Sequence, residues 1–241
     1  MRRILPLTAA LLLTGCTASS AKEALTETRS HALVTQCSDV QTLLRTDPLC
    51  RTGLSAIRQH GHLLTFSYTL PRDALAAQKT ELTAYAESWA NSTAGLPPVQ
   101  RVLLAHTRIC GTCRYADSGA SAHTAYGALI CGQAVCEGYA EAFLLLCSAA
   151  DIPCMIISGE ADGRAHAWNL VQIGGAWYHV DCTWDDCRHD YGHFLCDDST
   201  MRRTHSWDAG QYPHADAPPL DQRQIAAKMQ NNAQKPESCI E

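Results

Sequence analysis

The chain has 241 residues, of which 46% are hydrophobic and 18% are charged, and its formal net charge is −5. This length suffices for one sizeable domain, or for a core with a small N-terminal cap. Because the net charge is negative, the sequence gives no indication of a basic face for nucleic acid. It has neither an internal repeat nor a glycine-rich loop of the kind that binds phosphate. These observations disfavour nucleic-acid-binding proteins and nucleotide-dependent enzymes.

The first residues have the pattern of an export signal. A basic start is followed by the mostly apolar run Ile4–Leu13, and Leu13-Thr14-Gly15-Cys16 resembles a bacterial lipobox. The run is too short to cross a bilayer, so residues 1–15 are predicted to be a lipoprotein signal peptide and Cys16 the lipid-bearing residue. An ordinary secretory signal with an incidental cysteine is the alternative. We expect an extracytoplasmic protein that is lipid-anchored to the bacterial membrane surface.

The next segments are predicted to be a polar tether over residues 16–28 and a mainly helical region over residues 29–98. Gly61–Leu70 contains one strand-like stretch, which Pro71 ends. Leu75–Ala90 has the pattern of an amphipathic helix, and a second helix from Val99 leads into the core. Nothing in this region identifies a ligand, so we expect it to be a scaffold that covers one side of a cleft.

A buried helix is predicted to begin at Cys136. Less polar residues recur from Cys136 at the three-and-four spacing of a helical stripe. Gly132 and Gly138 permit a tight entry and a close backbone approach. The free amides of a helix start stabilise a negatively charged group, which suits a cysteine nucleophile at this position.

Three antiparallel strands are predicted after this helix. Cys154–Ser158 reads as a buried strand, and Asp162-Gly163 turns it into a hairpin with arms Ala165–Ile173 and Ala176–Thr183. If Gly174-Gly175 is a two-residue turn, Ile173 faces Ala176, Trp168 faces Asp181 and His166 faces Thr183. His166 and Asp181 are then diagonal neighbours on one face, within reach of a hydrogen bond. Phe194-Leu195 is a further strand candidate.

Three ordered motifs in this segment resemble the transglutaminase-like superfamily, whose core is similar to the papain-like cysteine proteases. They are Cys136-Glu137-Gly138-Tyr139-Ala140, His166-Ala167-Trp168-Asn169, and Trp177-Tyr178-His179-Val180-Asp181 with Thr183-Trp184-Asp185. Weaker likenesses occur at Tyr126-Gly127-Ala128-Leu129 and His205-Ser206-Trp207. The resemblance implies an α+β fold in which the catalytic helix packs on an antiparallel sheet. The resemblance is strongest over Cys131–Asp186 and continues weakly from about Val102 to Trp207, and we predict a core over residues 99–216 followed by a polar tail over residues 217–241.

The resemblance also implies roles for the three central residues. Cys136 would be the nucleophile, His166 the general base and Asp181 the group that orients the imidazole. The oxyanion would be stabilised by the backbone amide of Cys136 and a second donor. Tyr126 and Gln133 are candidates because they are close in sequence, and Tyr115 follows from the family pattern. His179 falls on the same strand face, where a structural role is favoured over one beside the site.

The expected function is cleavage of a peptide or isopeptide amide through a thioester, without a cofactor. Transamidation of protein glutamine and a non-catalytic surface-binding module are the alternatives. The expected partners are a protein or peptide substrate, cell-wall peptide among the candidates, and the membrane through the N-terminal lipid. The sequence does not decide the oligomeric state.

The remaining cysteines allow more than one interpretation. Setting aside Cys16 and Cys136 leaves eleven of the thirteen, an odd number that leaves at least one free or paired between chains. Cys110-Gly111-Thr112-Cys113 could be a local disulfide, two free thiols, or part of a metal or redox site. The other nine are Cys37, Cys50, Cys131, Cys147, Cys154, Cys182, Cys187, Cys196 and Cys239.

A zinc site is the alternative to a disulfide framework. Cys110 and Cys113 have the spacing of structural zinc ligands. Other ligands could come from a later group of residues: Cys182, Cys187, His189, His193 and Cys196. Because a second tight cysteine pair is missing, no metal site is predicted.

Overall fold

A computed structural model describes residues 28–33, 44–47, 49, 51–60, 63–221 and 223. The predicted signal peptide, the lipidation of Cys16, the first twelve positions of the tether and most of the tail lie outside these residues. So do Cys37, Cys50 and Cys239. Among the helices that the structure describes, none combines the length and apolar character needed to cross a membrane.

The N-terminal part forms a three-stranded antiparallel sheet in the order β1-β3-β2. Its strands are β1 (Thr28–Leu33), β2 (Leu54–His60) and β3 (Leu63–Tyr68). The strand expected within Gly61–Leu70 is therefore confirmed, but the expectation of a single strand was wrong. β1 and β2 are rich in polar residues, so neither contains the apolar run by which β3 was found.

Two helices connect this sheet to the core, α1 (Arg72–Ser92) and α2 (Pro98–Thr112). Both helices were predicted, although each extends beyond the residues in which the apolar spacing was recognised. α2 has a proline at its N-terminal position, where the missing amide costs no hydrogen bond. Leu82 and Ala86 of α1 belong to the same buried core as Val102 and Ile109 of α2, so residues on both sides of position 98 share one core.

The core is built around α3 (Cys136–Ala149), in which every residue from Gly138 to Cys147 is buried. The helix packs on an antiparallel sheet of five strands, whose outer strands are β9 (Phe194–Cys196) and β10 (His205–Ser206) and whose order is β10-β6-β7-β8-β9. Its central strands are β6 (Cys154–Ala161), β7 (Arg164–Ile173) and β8 (Ala176–Val180). The buried Asn169 amide of β7 donates to the Ala140 carbonyl of α3 at 3.0 Å, which links helix to sheet.

The register of the β7–β8 hairpin agrees with the prediction at its turn. Ile173 pairs with Ala176. Gly174 and Gly175 adopt φ values of 61° and 87°, which two-residue hairpin turns with positive dihedrals require. The predicted extension of the second arm to Thr183 was wrong. The strand ends at Val180, because the side chain of Asp181 accepts hydrogen bonds from the amides of the next turn and starts a helix.

Short elements complete the core: α4 (Cys182–Arg188), β9 (Phe194–Cys196), α5 (Asp198–Met201) and β10 (His205–Ser206). Before α3, the two-residue strands β4 (Arg114–Tyr115) and β5 (Gln133–Ala134) pair in parallel. This pairing brings the segment after α2 beside the start of α3. The architecture is the predicted α+β fold, a helix packed on an antiparallel sheet.

Candidate active site

Cys136 lies at the first position of α3, at the edge of a cleft of about 540 Å³. The preceding residue, Val135, is extended, so the chain enters the helix abruptly and leaves the first amides without partners inside the helix. The cleft also contains His166 of β7 and the start of α4. Its other lining residues are Tyr115, Ala161, Asp162, Arg164, Ala165, Thr183, Trp184, Cys187 and Arg188.

His166 connects the cleft to a buried carboxylate. Its Nε2 lies 2.8 Å from Oδ2 of Asp181, so Nδ1 is the ring nitrogen left to face Cys136. Burial lowers the pKa of His166, but the hydrogen bonds to Asp181 and to Cys136 outweigh it and raise that pKa to about 9. The imidazole therefore holds a proton readily while it lies beside the thiol.

Asp181 receives four hydrogen bonds. Its Oδ1 accepts from the amides of Thr183 and Trp184, at 2.9 and 3.2 Å. Its Oδ2 accepts from His166 and also from Nε2 of His205, at 3.1 Å. Burial alone raises the pKa of this carboxyl, but the two imidazoles lower it well below its usual range. The carboxylate is thus a helix cap and the partner of His166 at once.

Aromatic rings surround the imidazole. The ring of Trp168 stacks near His166 with centroids 6.0 Å apart, and Trp184 lies 6.3 Å away. The side chain of His166 is 8% exposed and that of Asp181 is 1% exposed. Water therefore has little access to their hydrogen bond, which strengthens the electrostatic coupling between them.

A family model for the transglutaminase-like superfamily matches residues 83–182, the segment that contains Cys136, His166 and Asp181. This match supports the resemblance of the segment to the transglutaminase-like superfamily. Members of this superfamily are cysteine-protease-like or transglutaminase enzymes.

Curated relatives of the chain are the kyphoscoliosis peptidases of Homo sapiens and Mus musculus, 36% and 34% identical over 61 residues. Each match covers 20% of this chain and 9% of the relative, so the chain spans less than a tenth of these relatives. Among solved structures, it is similar to a candidate cysteine protease from Cytophaga hutchinsonii, at 16% identity and a TM-score of 0.37, covering 66% of each chain. It is also similar to the periplasmic domain of TgpA from Pseudomonas aeruginosa, at 18% identity and a TM-score of 0.37, covering 53% of this chain and 55% of that one.

The three residues predicted to stabilise the oxyanion or to position the substrate lie in different places in the structure. Tyr115 lines the cleft with Cys136 and is 53% exposed. The hydroxyl of Tyr126 donates instead to Glu81 of α1 at 2.8 Å. Gln133 is exposed in β5 and does not line the cleft. Burial and the neighbouring Cys136 raise the pKa of Tyr115, so its hydroxyl stays protonated and able to donate.

Gly138 explains how α3 can begin so close to the preceding loop. A Cβ at Gly138 would lie 2.7 Å from the Cβ of Ala134 and 2.9 Å from the carbonyl oxygen of Thr124. Both distances are shorter than ordinary van der Waals contacts. The second residue after Cys136 must therefore be glycine for this approach.

His205 also lies at this site, although the sequence analysis predicted no role for it. It is buried, and its Nδ1 lies 2.8 Å from the hydroxyl of Thr204 while Nε2 faces Asp181. The only sequence signal was the weak likeness of His205-Ser206-Trp207 to the family. β10 reaches the site because it pairs with β6 on the side of β6 opposite β7.

His179 is structural rather than part of the cleft. Its Nδ1 accepts from Trp168 Nε1 at 3.0 Å, and its Nε2 lies 2.8 Å from Asp198. Two polar partners thus occupy both ring nitrogens. These contacts agree with the structural role that the sequence analysis favoured for His179.

The described cysteines all carry free thiols: Cys110, Cys113, Cys131, Cys136, Cys147, Cys154, Cys182, Cys187 and Cys196. Cys113 donates to the carbonyl of Arg114 at 3.8 Å and does not act as a pair with Cys110. Of the local alternatives for Cys110 and Cys113, the structure therefore excludes a disulfide between the two residues.

Proposed function

We propose that this protein is a cysteine hydrolase that cleaves a peptide or isopeptide amide with Cys136, His166 and Asp181. The observation that carries the proposal is the connected array of thiol, imidazole and buried carboxylate at one cleft, with 2.8 Å between His166 Nε2 and Asp181 Oδ2. Such an array is recognised by geometry and roles rather than by sequence position. The relatives' name of peptidase supports the same reaction class.

In the first step the sulfur of Cys136 attacks the amide carbonyl carbon, its proton passing to Nδ1 of His166. Asp181 holds the ring through Nε2 and stabilises the imidazolium. The carbonyl oxygen becomes an oxyanion that accepts from the Cys136 amide and from the Tyr115 hydroxyl. His166 then returns the proton to the leaving amine, and a thioester remains.

In the second step water attacks the thioester carbon while His166 takes a proton from it. The carbon–sulfur bond breaks, the sulfur recovers the proton and a carboxylic acid leaves. A primary amine in place of water would give transamidation through the same thioester. The attacking group thus decides between the two products.

The full-length protein and its Cys136→Ser variant can be compared on a peptide library with and without a primary amine. Hydrolysis predicts new amino termini with the parent protein and none with the variant. Amine incorporation with ammonia release would indicate transamidation. If neither occurs, and Cys136 alkylates no faster than the other free thiols, the protein is a binding module and the proposal fails.

We also propose that the protein acts at the bacterial membrane surface, held by a lipid on Cys16. The support is the lipobox-like Leu13-Thr14-Gly15-Cys16 after a basic start and an apolar run. Fractionation of cells with radiolabelled fatty acid should find label and protein in the membrane. Cys16→Ala should lose the label, and label retained by this variant would contradict the proposal.

A further inference from the structure

A second cluster of chemically reactive side chains lies outside the catalytic cleft, between α2 and the start of α4. His106, Cys110 and Cys182 each place one metal-binding atom within 4.8 Å of the other two. His106 and Cys110 are one helical turn apart and share a face of α2. Cys182 begins α4 and directly follows Asp181 of the catalytic array.

The geometry points to a structural zinc site formed by Nδ1 of His106 and the sulfurs of Cys110 and Cys182, and we propose that this protein binds one Zn²⁺ there. From zinc–ligand lengths of about 2.0–2.3 Å, the atoms of a tetrahedral site are about 3.5–3.8 Å apart. The sulfur of Cys110 lies 3.9 Å from Nδ1 and 3.7 Å from Nε2 of His106. Rotation of the Cys110 side chain toward Nδ1 would bring the sulfur to a zinc-binding position.

The orientation of His106 supports this assignment. Its Nε2 lies 3.0 Å from Oδ2 of Asp185, a carboxylate that is itself buried. Zinc-bound histidines usually donate their other ring N–H to such a carboxylate, which fixes the tautomer and leaves the opposite nitrogen for the metal. Asp185 is held in turn by the amide and the ring of His193, at 2.8 and 3.2 Å.

The surroundings suit a thiolate-containing metal site. Cys110 is partly buried, and its sulfur lies 3.4 Å from the carbonyl oxygen of Cys182, so the two cysteines are held close together. One nitrogen and two sulfur atoms favour Zn²⁺ over Mg²⁺ or Ca²⁺, which prefer oxygen. A cavity of about 250 Å³ opens beside His106 and Cys110 and leaves room for a water as the fourth ligand.

The site would connect two parts of the catalytic machinery. A metal bound to α2 and to Cys182 would hold the first turn of α4, whose amides bind Asp181. This inference does not require the proposed hydrolysis, because binding is measured without a substrate.

The test uses the full-length protein, reduced and freed of metal by a chelator. Zn²⁺ per chain is counted after gel filtration, the dissociation constant is measured against a chromophoric chelator, and Co²⁺ reports thiolate ligation by its charge-transfer band. We expect one Zn²⁺ per chain. Cys110→Ser and Cys182→Ser should each weaken binding about 100-fold or more, and Asp185→Asn about 10- to 100-fold. Circular dichroism checks that each variant is folded.

Two matched control variants test where the metal binds. Cys113→Ser, which changes the other cysteine of the same short motif, and Cys136→Ser, which changes the catalytic cleft, should both bind as the parent does. Equal binding by Cys110→Ser would overturn the proposal, as would loss of binding in Cys136→Ser. A disulfide between Cys110 and Cys182 in freshly isolated protein, detected by mass spectrometry, would overturn it too.

Discussion

Asp181 carries two roles that depend on the same carboxylate. One oxygen caps α4 through two amides, and the other receives His166 and His205. Because all four hydrogen bonds favour the charged form, the group stays ionised at any pH at which the protein would work. Its charge in turn helps keep the imidazole of His166 protonated.

Asp181→Asn should therefore lower kcat/KM by about 10³- to 10⁴-fold, as the loss of a buried triad carboxylate does. The raised pKa of His166, about 9, should fall in this variant because its strongest charged partner is gone. The alkaline limb of the kcat/KM profile should then move toward acid. Asp198→Asn, which changes the His179 pair away from the cleft, is the matched control, and an equal loss there would contradict the assignment.

Tyr115→Phe should lower kcat by about 10- to 100-fold with little change in KM, because the hydroxyl would stabilise the oxyanion of the transition state and not the bound substrate. This loss is smaller than the ~10²–10³ typical of buried donors, since solvent competes at an exposed ring. Single-turnover kinetics with a peptide that the parent protein cleaves separate the attack on the amide from substrate binding. Tyr126→Phe, whose hydroxyl binds Glu81, should leave kcat unchanged; a Tyr115→Phe variant with parental kcat would remove Tyr115 from the site.

At the scale of elements, the position of Cys136 depends on how closely α3 approaches the loop before it. Gly138 permits that approach, and the β4–β5 pairing holds the preceding segment in place. The start of the helix and the cleft are thus one packed unit. A change that moves this helix end also moves the sulfur.

Gly138→Ala should destabilise the protein by about 1–3 kcal/mol, the usual cost of overpacking a closely packed site. Urea unfolding measures this free energy, and the alkylation rate of Cys136 should fall with it. Gly111→Ala is the control, because a Cβ there meets nothing within 4 Å and alanine suits a helix better than glycine. An unchanged unfolding free energy for Gly138→Ala would contradict the packing argument.

At the scale of the whole molecule, Arg51, which precedes β2, pairs with the buried Glu141 of α3 at 2.8 Å. Burial raises the pKa of Glu141 from 4.5 to about 7, and Arg51 only partly opposes this shift. A carboxyl with a raised folded pKa contributes stability that is complete below pH 4.5 and lost as the pH rises through about 7. Above that range the fold depends on Arg51 to neutralise a buried charge.

Arg51→Ala should therefore destabilise the protein more at pH 8 than at pH 5. At pH 8 the loss should reach about 3 kcal/mol, because removing one partner leaves a buried charge unpaired. Denaturant unfolding at the two pH values measures the difference. Arg72→Ala, an exposed position at the start of α1, should show no such dependence, and equal losses at both pH values would contradict the role of Glu141.

The sequence by itself determined the features that depend on local geometry. The hydrophobic stripe predicted α3 with Cys136 at its start, and two glycines between apolar arms predicted the turn at Gly174-Gly175. The two-residue period of strands then brought His166 within reach of Asp181, a contact that the structure shows at 2.8 Å. The helix start at Asp181 was missed, because the second arm of the hairpin was predicted to continue to Thr183.

Only the tertiary structure decided which residues that are distant in sequence lie close together in the protein. His205 reaches Asp181 because β10 lies beside β6, and strand order in a sheet does not follow from sequence periodicity. The same applies to the position of Tyr115 beside the cleft, which neither Tyr126 nor Gln133 lines, and to the meeting of His106 and Cys110 with Cys182. The physical reason is that turn chemistry and periodicity act over a few residues, whereas these contacts depend on how whole helices and strands pack.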